Sequence, residues 1–118
     1  METGLHTDRR PAPAGTCVLA LTGEADMDTA PVLARALTAA LAGTPRPDVL
    51  VVDCARLTFC ASAGLNELLR ARRAAEAAGV AFRLAAPGPQ VVRLLDITGT
   101  DAVFEIDPAP VPSVAVAP

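Results

Sequence analysis

Val49-Leu50-Val51-Val52 is an uninterrupted apolar run, entered from the turn Thr44-Pro45-Arg46-Pro47 and flanked on both sides by stretches of helical periodicity. Such a run is the pattern of a strand covered on both faces, as in the middle of a parallel sheet, and here it is expected to end at Asp53. Upstream, Leu33, Leu37 and Leu41, with Ala36 and Ala40, share one face of a helix that reaches about Leu41 and stops at Gly43. Downstream, Leu65, Leu68 and Leu69 open a second helical stripe that continues through Arg72 and Ala75. It leaves Arg70 and Arg73 nearer solvent and closes at Gly79.

The same alternation extends outward. Cys17–Thr22 reads as a strand ended by Gly23, and Val80–Ala85 as another strand. Val91, Leu94 and Leu95 mark a short helix closed near Gly99, and Ala102–Ile106 a final short strand or extended packing segment. Strand and helix in repeated alternation predict an α/β fold: one small domain with a central, mostly parallel sheet of four to five strands and helices packed on it. The 118 residues suffice for one core without disulfides or metal. Residues 1–14 read as a flexible segment or an edge strand near Leu5 to Arg9, 15–107 as the folded domain, and 108–118 as a disordered tail rich in Pro, Ala and Val.

In such sheets functional residues collect beyond the carboxyl ends of the strands. Glu24, Asp26 and Asp28 follow the first strand, with Asp28 the expected N-cap of the first helix and Pro31 in its first turn. Cys60-Ala61-Ser62-Ala63-Gly64 follows the central one, and the topology predicts both loops at the same sheet edge. Ser62, at the expected start of a helix, has three chemically sensible roles: N-cap, nucleophile or phosphate acceptor. The free N–H groups and positive dipole end of a helix start favour an added anion. The acids of the neighbouring loop oppose it, so a phosphate there would penalise any interface closed over it.

Several function classes find no support. All ten basic residues are Arg, so a Walker-type lysine is absent, and no G-x-G-x-x-G occurs. A net charge of −3 with no Trp or Tyr argues against nucleic-acid binding. His6 is the sole histidine, expected in a mobile segment, and Cys17, Cys54 and Cys60 lack ligand spacing, so neither a metal nor a cofactor is expected. The cysteines read as small buried hydrophobes. A Ser62 or Cys60 hydrolase would lack a well-placed base, and the G-x-S-x-G elbow is missing, so no enzyme is expected. Without a signal-peptide pattern or a membrane-spanning run, the expected location is the cytoplasm.

Four segments in order carry a resemblance. Leu21-Thr22-Gly23-Glu24-Ala25-Asp26 is similar to a G-E-x-D segment after a strand; the second part is the helix after Asp28 with the strand Val49–Asp53. Leu57-Thr58-Phe59 leading into Ser62-Ala63-Gly64-Leu65 resembles F-x-D-S-S-G-L, and Arg93-Leu94-Leu95-Asp96-Ile97-Thr98-Gly99 resembles R-x-L-x-x-T-G. Together they resemble the STAS domain family, in particular bacterial anti-sigma-factor antagonists, over roughly Val18 to Ile106. The resemblance implies a partner of the serine-kinase anti-sigma type (GHKL class), which phosphorylates the antagonist's serine with its own ATP, and a phosphatase that restores it. By position the acceptor is Ser62, and Glu24, Asp26, Ala61, Ser62, Ala63 and Gly64 form the partner-binding set. Ala61 and Ala63 stand where the family has Asp and Ser. The resemblance therefore also admits a non-phosphorylated STAS scaffold or a structural subunit of a signalling or lipid-transport complex. The family's last amphipathic helix is replaced here by the proline-rich tail.

Overall fold

The computed structural model describes residues 4–111. Its elements run β1 (Leu5–Arg10), β2 (Thr16–Ala25), α1 (Ala30–Leu41), β3 (Val49–Cys60), α2 (Ser62–Ala77), β4 (Ala81–Ala85), α3 (Pro89–Thr98), a 3₁₀ turn (Thr100–Ala102) and β5 (Glu105–Asp107). The five strands form one sheet in the order β1-β2-β3-β4-β5, with only β1 antiparallel to its neighbour. The expected α/β architecture is therefore present.

All three helices bury their apolar stripes against one face of the sheet. Leu33, Leu37 and Ala40 of α1, Leu68, Ala71 and Ala75 of α2, and Val91 and Leu95 of α3 join a single core with Leu19, Leu21, Leu50, Val52, Cys54, Phe82 and Leu84. Those sheet residues alternate along their strands, which is the period of one sheet face. Leu19, Val52 and Leu84 are register partners, as are Leu50 and Phe82. The opposite face carries Val18, Val51 and Arg83 in one row and Ala20, Asp53 and Ala85 in the next.

The central strand is thus not sandwiched between helical layers as its apolar run suggests: Leu50 and Val52 are buried, while Val49 and Val51 are only partly so. Among the described residues no helix packs on the second face. Instead Pro11, Ala12 and Pro13 from the β1–β2 connection, together with Val111, line a groove with Val18, Val51 and Ala85. A short loop and a few apolar side chains replace a second helical layer. Of the segment expected to be a disordered tail, residues 112–118 lie outside the described residues.

Two boundaries move, and one residue is placed differently than expected. β2 does not stop at Gly23 but continues to Ala25, with register irregularities between Ala20 and Thr22 and between Gly23 and Glu24. Gly23 sits at φ +110°, and a Cβ there would collide with the Gly4 carbonyl oxygen. The glycine permits a bulge under a close neighbour rather than ending the strand. β3 likewise runs past Asp53 to Cys60, because β2 continues to pair with it. His6, expected in a mobile segment, lies on β1 opposite Thr22 and is exposed.

Candidate functional site

The prolonged ends of β2 and β3 bring the two loops together. Glu24 pairs with Phe59 and Ala25 with Cys60. Beyond the last pair, the Ala61 N–H donates to the Ala25 carbonyl at 2.8 Å. The Thr58 hydroxyl donates to the Gly23 carbonyl at 3.0 Å. The acidic loop and the serine junction therefore form one bonded unit at the carboxyl edge of the sheet, from which α1 and α2 start side by side.

On the acidic side the helix start is organised by Asp26, not Asp28. Asp26 Oδ1 accepts the N–H groups of Asp28 at 3.0 Å and Thr29 at 3.1 Å. Thr29 Oγ1 in turn accepts the Asp26 N–H at 2.9 Å and donates to the Glu24 carbonyl at 2.8 Å. Asp26 thereby turns the chain, and α1 begins one residue later than an Asp28 cap would start it, with Thr29 at the N-cap position. Asp28 is left exposed. Glu24 and Asp26 are half-buried, whereas Met27 between the acids is 80% exposed.

On the serine side the N-cap of α2 is Ala61, in extended conformation, and no side chain caps the helix. Ser62 is the first helical residue and is exposed. Of its three sequence roles, capping is therefore excluded. The first-turn N–H groups of α2 have no intrahelical acceptor, and the dipole adds partial positive charge, so this helix start suits an anion. Gly64 is buried: a Cβ there would stand 2.7 Å from the Ala25 carbonyl oxygen and 2.8 Å from its Cβ. Only glycine lets α2 start this close to β2. Ala61 and Ala63 are half-buried on either side of the serine.

A further contact comes from α3. The Gln90 carboxamide accepts the Cys60 N–H at 2.7 Å through Oε1 and donates to the Cys60 carbonyl at 2.9 Å through Nε2. Cysteine chemistry is suppressed here. Burial pushes the Cys60 thiol up to about 11, and burial, then Cys60 and Asp53, push Cys54 up to about 12. Neither thiol supplies a useful thiolate near neutral pH. Among the described residues no three His, Cys, Asp or Glu side chains converge as a metal site would need, and no helix is long and apolar enough to cross a membrane.

Sequence reasoning passed over Thr29, Gln90 and the exposed Met27. Thr29 had a local signal, three residues after an Asp at a helix start. Gln90 had none, since its partner is thirty residues away in sequence.

The family model described as "Mlab, STAS domain" matches residues 9–106. The chain belongs to the STAS domain family. Comparison with curated proteins gives no match. Among solved structures, this STAS domain is similar to an anti-sigma factor antagonist from Mycobacterium paratuberculosis, with 29% identity and a TM-score of 0.76 over 89% of this chain and 86% of the other. SpoIIAA in its unphosphorylated form gives 24% identity and a TM-score of 0.68, covering 86% and 87%. A sulfate transporter family protein from Wolinella succinogenes gives 16% and 0.73, covering 85% and 82%. The last two establish a shared fold only.

Proposed function

We propose that this STAS domain is an anti-sigma-factor antagonist, a binding protein rather than an enzyme. Its partner is an anti-sigma factor of the serine-kinase type, bound through the Ser62 loop. Phosphorylation of Ser62 by that partner weakens the complex, and a phosphatase restores it. The observation that carries this reading is the exposed Ser62 at an uncapped helix start, bonded into one unit with the Glu24–Asp26 loop. The similarity to the mycobacterial antagonist supports it. Glu24, Asp26, Ala61, Ser62 and Ala63 offer the partner surface, and Gly64 beneath them sets the depth of the loop. No cofactor, nucleic acid or membrane span takes part, and the protein acts in the cytoplasm.

A phosphate of about −1.5 to −2 charge beside Glu24 and Asp26 concentrates negative charge where the partner must close. A loss of ~3 kcal/mol weakens binding about a hundredfold. The test is incubation with the anti-sigma kinase of the same genome and ATP, followed by mass-spectrometric location of phosphate. Modification confined to Ser62, and Ser62→Asp binding about a hundredfold more weakly than the parent, are expected. Wild-type affinity of Ser62→Asp would refute the switch.

A second reading rests on Ala61, which leaves the serine without a carboxylate directly before it in the chain. It makes the chain a non-phosphorylated STAS scaffold or a structural subunit of a signalling or lipid-transport complex. Co-purification in a stable assembly, with Ser62 unmodified in kinase and ATP, would favour this reading.

A further inference from the structure

We propose that Gln90 is a positioning residue for Ser62, holding the end of β3 in place of a missing strand. This deepens the Ser62 reading and rests on it for its functional consequence. The β3–β4 register ends at Asp53 opposite Ala85, whereas β3 continues for seven residues to Cys60. Beyond Asp53 the strand has β2 on one side and, among the described residues, no strand on the other. At Cys60 the unpaired side is filled by the Gln90 carboxamide, which offers the same acceptor and donor as a strand peptide group, at 2.7 and 2.9 Å.

The next residue is held from the opposite side. The Ala61 N–H donates to Ala25 of β2. Cys60 and Ala61 are therefore clamped between α3 and β2 immediately before Ser62, and the direction in which α2 presents the hydroxyl follows from both. Gln90 is itself held in the first turn of α3, directly after Pro89, whose ring presets the backbone. An alanine at 90 keeps the helix and removes the clamp. Since a hydrogen bond contributes about 0.5–1.5 kcal/mol, up to about tenfold is the scale of effect to expect.

The experiment compares wild type, Gln90→Ala and Gln90→Glu. Amide hydrogen exchange is followed residue by residue, and Ser62 phosphotransfer is followed with the cognate kinase. In Gln90→Ala the Cys60 amide exchanges about tenfold faster while core amides of β2 and β4 keep their rates. Gln90→Glu retains the acceptor for the Cys60 N–H but sets a carboxylate oxygen against the Cys60 carbonyl, so its Cys60 amide exchanges at a rate between those of wild type and Gln90→Ala. In phosphotransfer, Gln90→Ala lowers kcat about tenfold with KM within twofold, because the docking acids are intact and only the hydroxyl is misplaced. Unchanged Cys60 exchange in Gln90→Ala, or kcat and KM moving together, overturns the proposal. The exchange measurement needs no partner. Absence of Ser62 phosphorylation in the wild type would therefore count against the switch, while Cys60 exchange would still decide the clamp.

Discussion

Replacing Gly64 by alanine places a methyl carbon 2.7 Å from the Ala25 carbonyl oxygen, 2.8 Å from the Ala25 Cβ and 3.1 Å from its carbonyl carbon. Ordinary contact begins at 3.4 Å, so a gap of about 0.7 Å must open. The obstacle is largely backbone, which cannot rotate aside. Ala25 is itself fixed by pairing with Cys60 and by the bond from the Ala61 N–H. Relief therefore means backing the first turn of α2 away from β2, which stretches that bond. Overpacking of this kind costs about 1–3 kcal/mol, and loss of the hydrogen bond about 1 kcal/mol more. Against this, alanine gains up to about 1 kcal/mol over glycine within a helix. The expected net destabilisation is ~1–3 kcal/mol, read as a lower urea midpoint at unchanged slope. Gly43→Ala is the control, since its Cβ would meet nothing closer than 3.7 Å, and it should stay within about 0.5 kcal/mol of the parent. A neutral or stabilised Gly64→Ala would mean that the α2 start yields freely. Glycine would then not be what sets the depth of the Ser62 loop.

Thr29→Val keeps the shape of the side chain but leaves the Asp26 N–H and the Glu24 carbonyl without the hydroxyl that joins them. A loss of about 2–3 kcal/mol in urea unfolding is expected, and a change below 0.5 kcal/mol would show that water replaces the hydroxyl at no cost. The buried thiols predict an alkaline limit to stability. Cys60 at about 11 and Cys54 at about 12 stand above the ordinary 9.0, so the unfolded chain ionises first. Their contribution is fully present below pH 9 and is lost as pH rises through about 11 and 12, at up to about 1.4 kcal/mol per pH unit per thiol. Urea unfolding from pH 8 to 10.5 should steepen with pH above 9 in the parent and less in Cys54→Ala. Equal slopes would contradict the shift at Cys54.

The local pattern determined a good deal. Leucine and alanine spacing specified α1 and α2, because a helical stripe is written within a dozen residues. Gly79 and Gly99 marked helix ends for the same reason: each lies at positive φ just beyond its helix. The alternation of strands and helices determined a mostly parallel sheet, and that in turn predicted the acidic loop and the serine on a common edge. What sequence left open depended on partners distant along the chain. Val49–Val52 reads alike whether its second face meets a helix or a proline-containing loop, since apolar side chains suit either. The end of β3 was set by continued pairing with β2, and the hold on Cys60 by Gln90, neither of which has a local signature. Ser62 shows the division most sharply. Its residue type allowed a cap, a nucleophile or an acceptor, and only the folded chain decided against the cap. Pairing that carries β3 to Cys60 makes Ala61 the turn residue and places Ser62 inside the helix with its hydroxyl exposed.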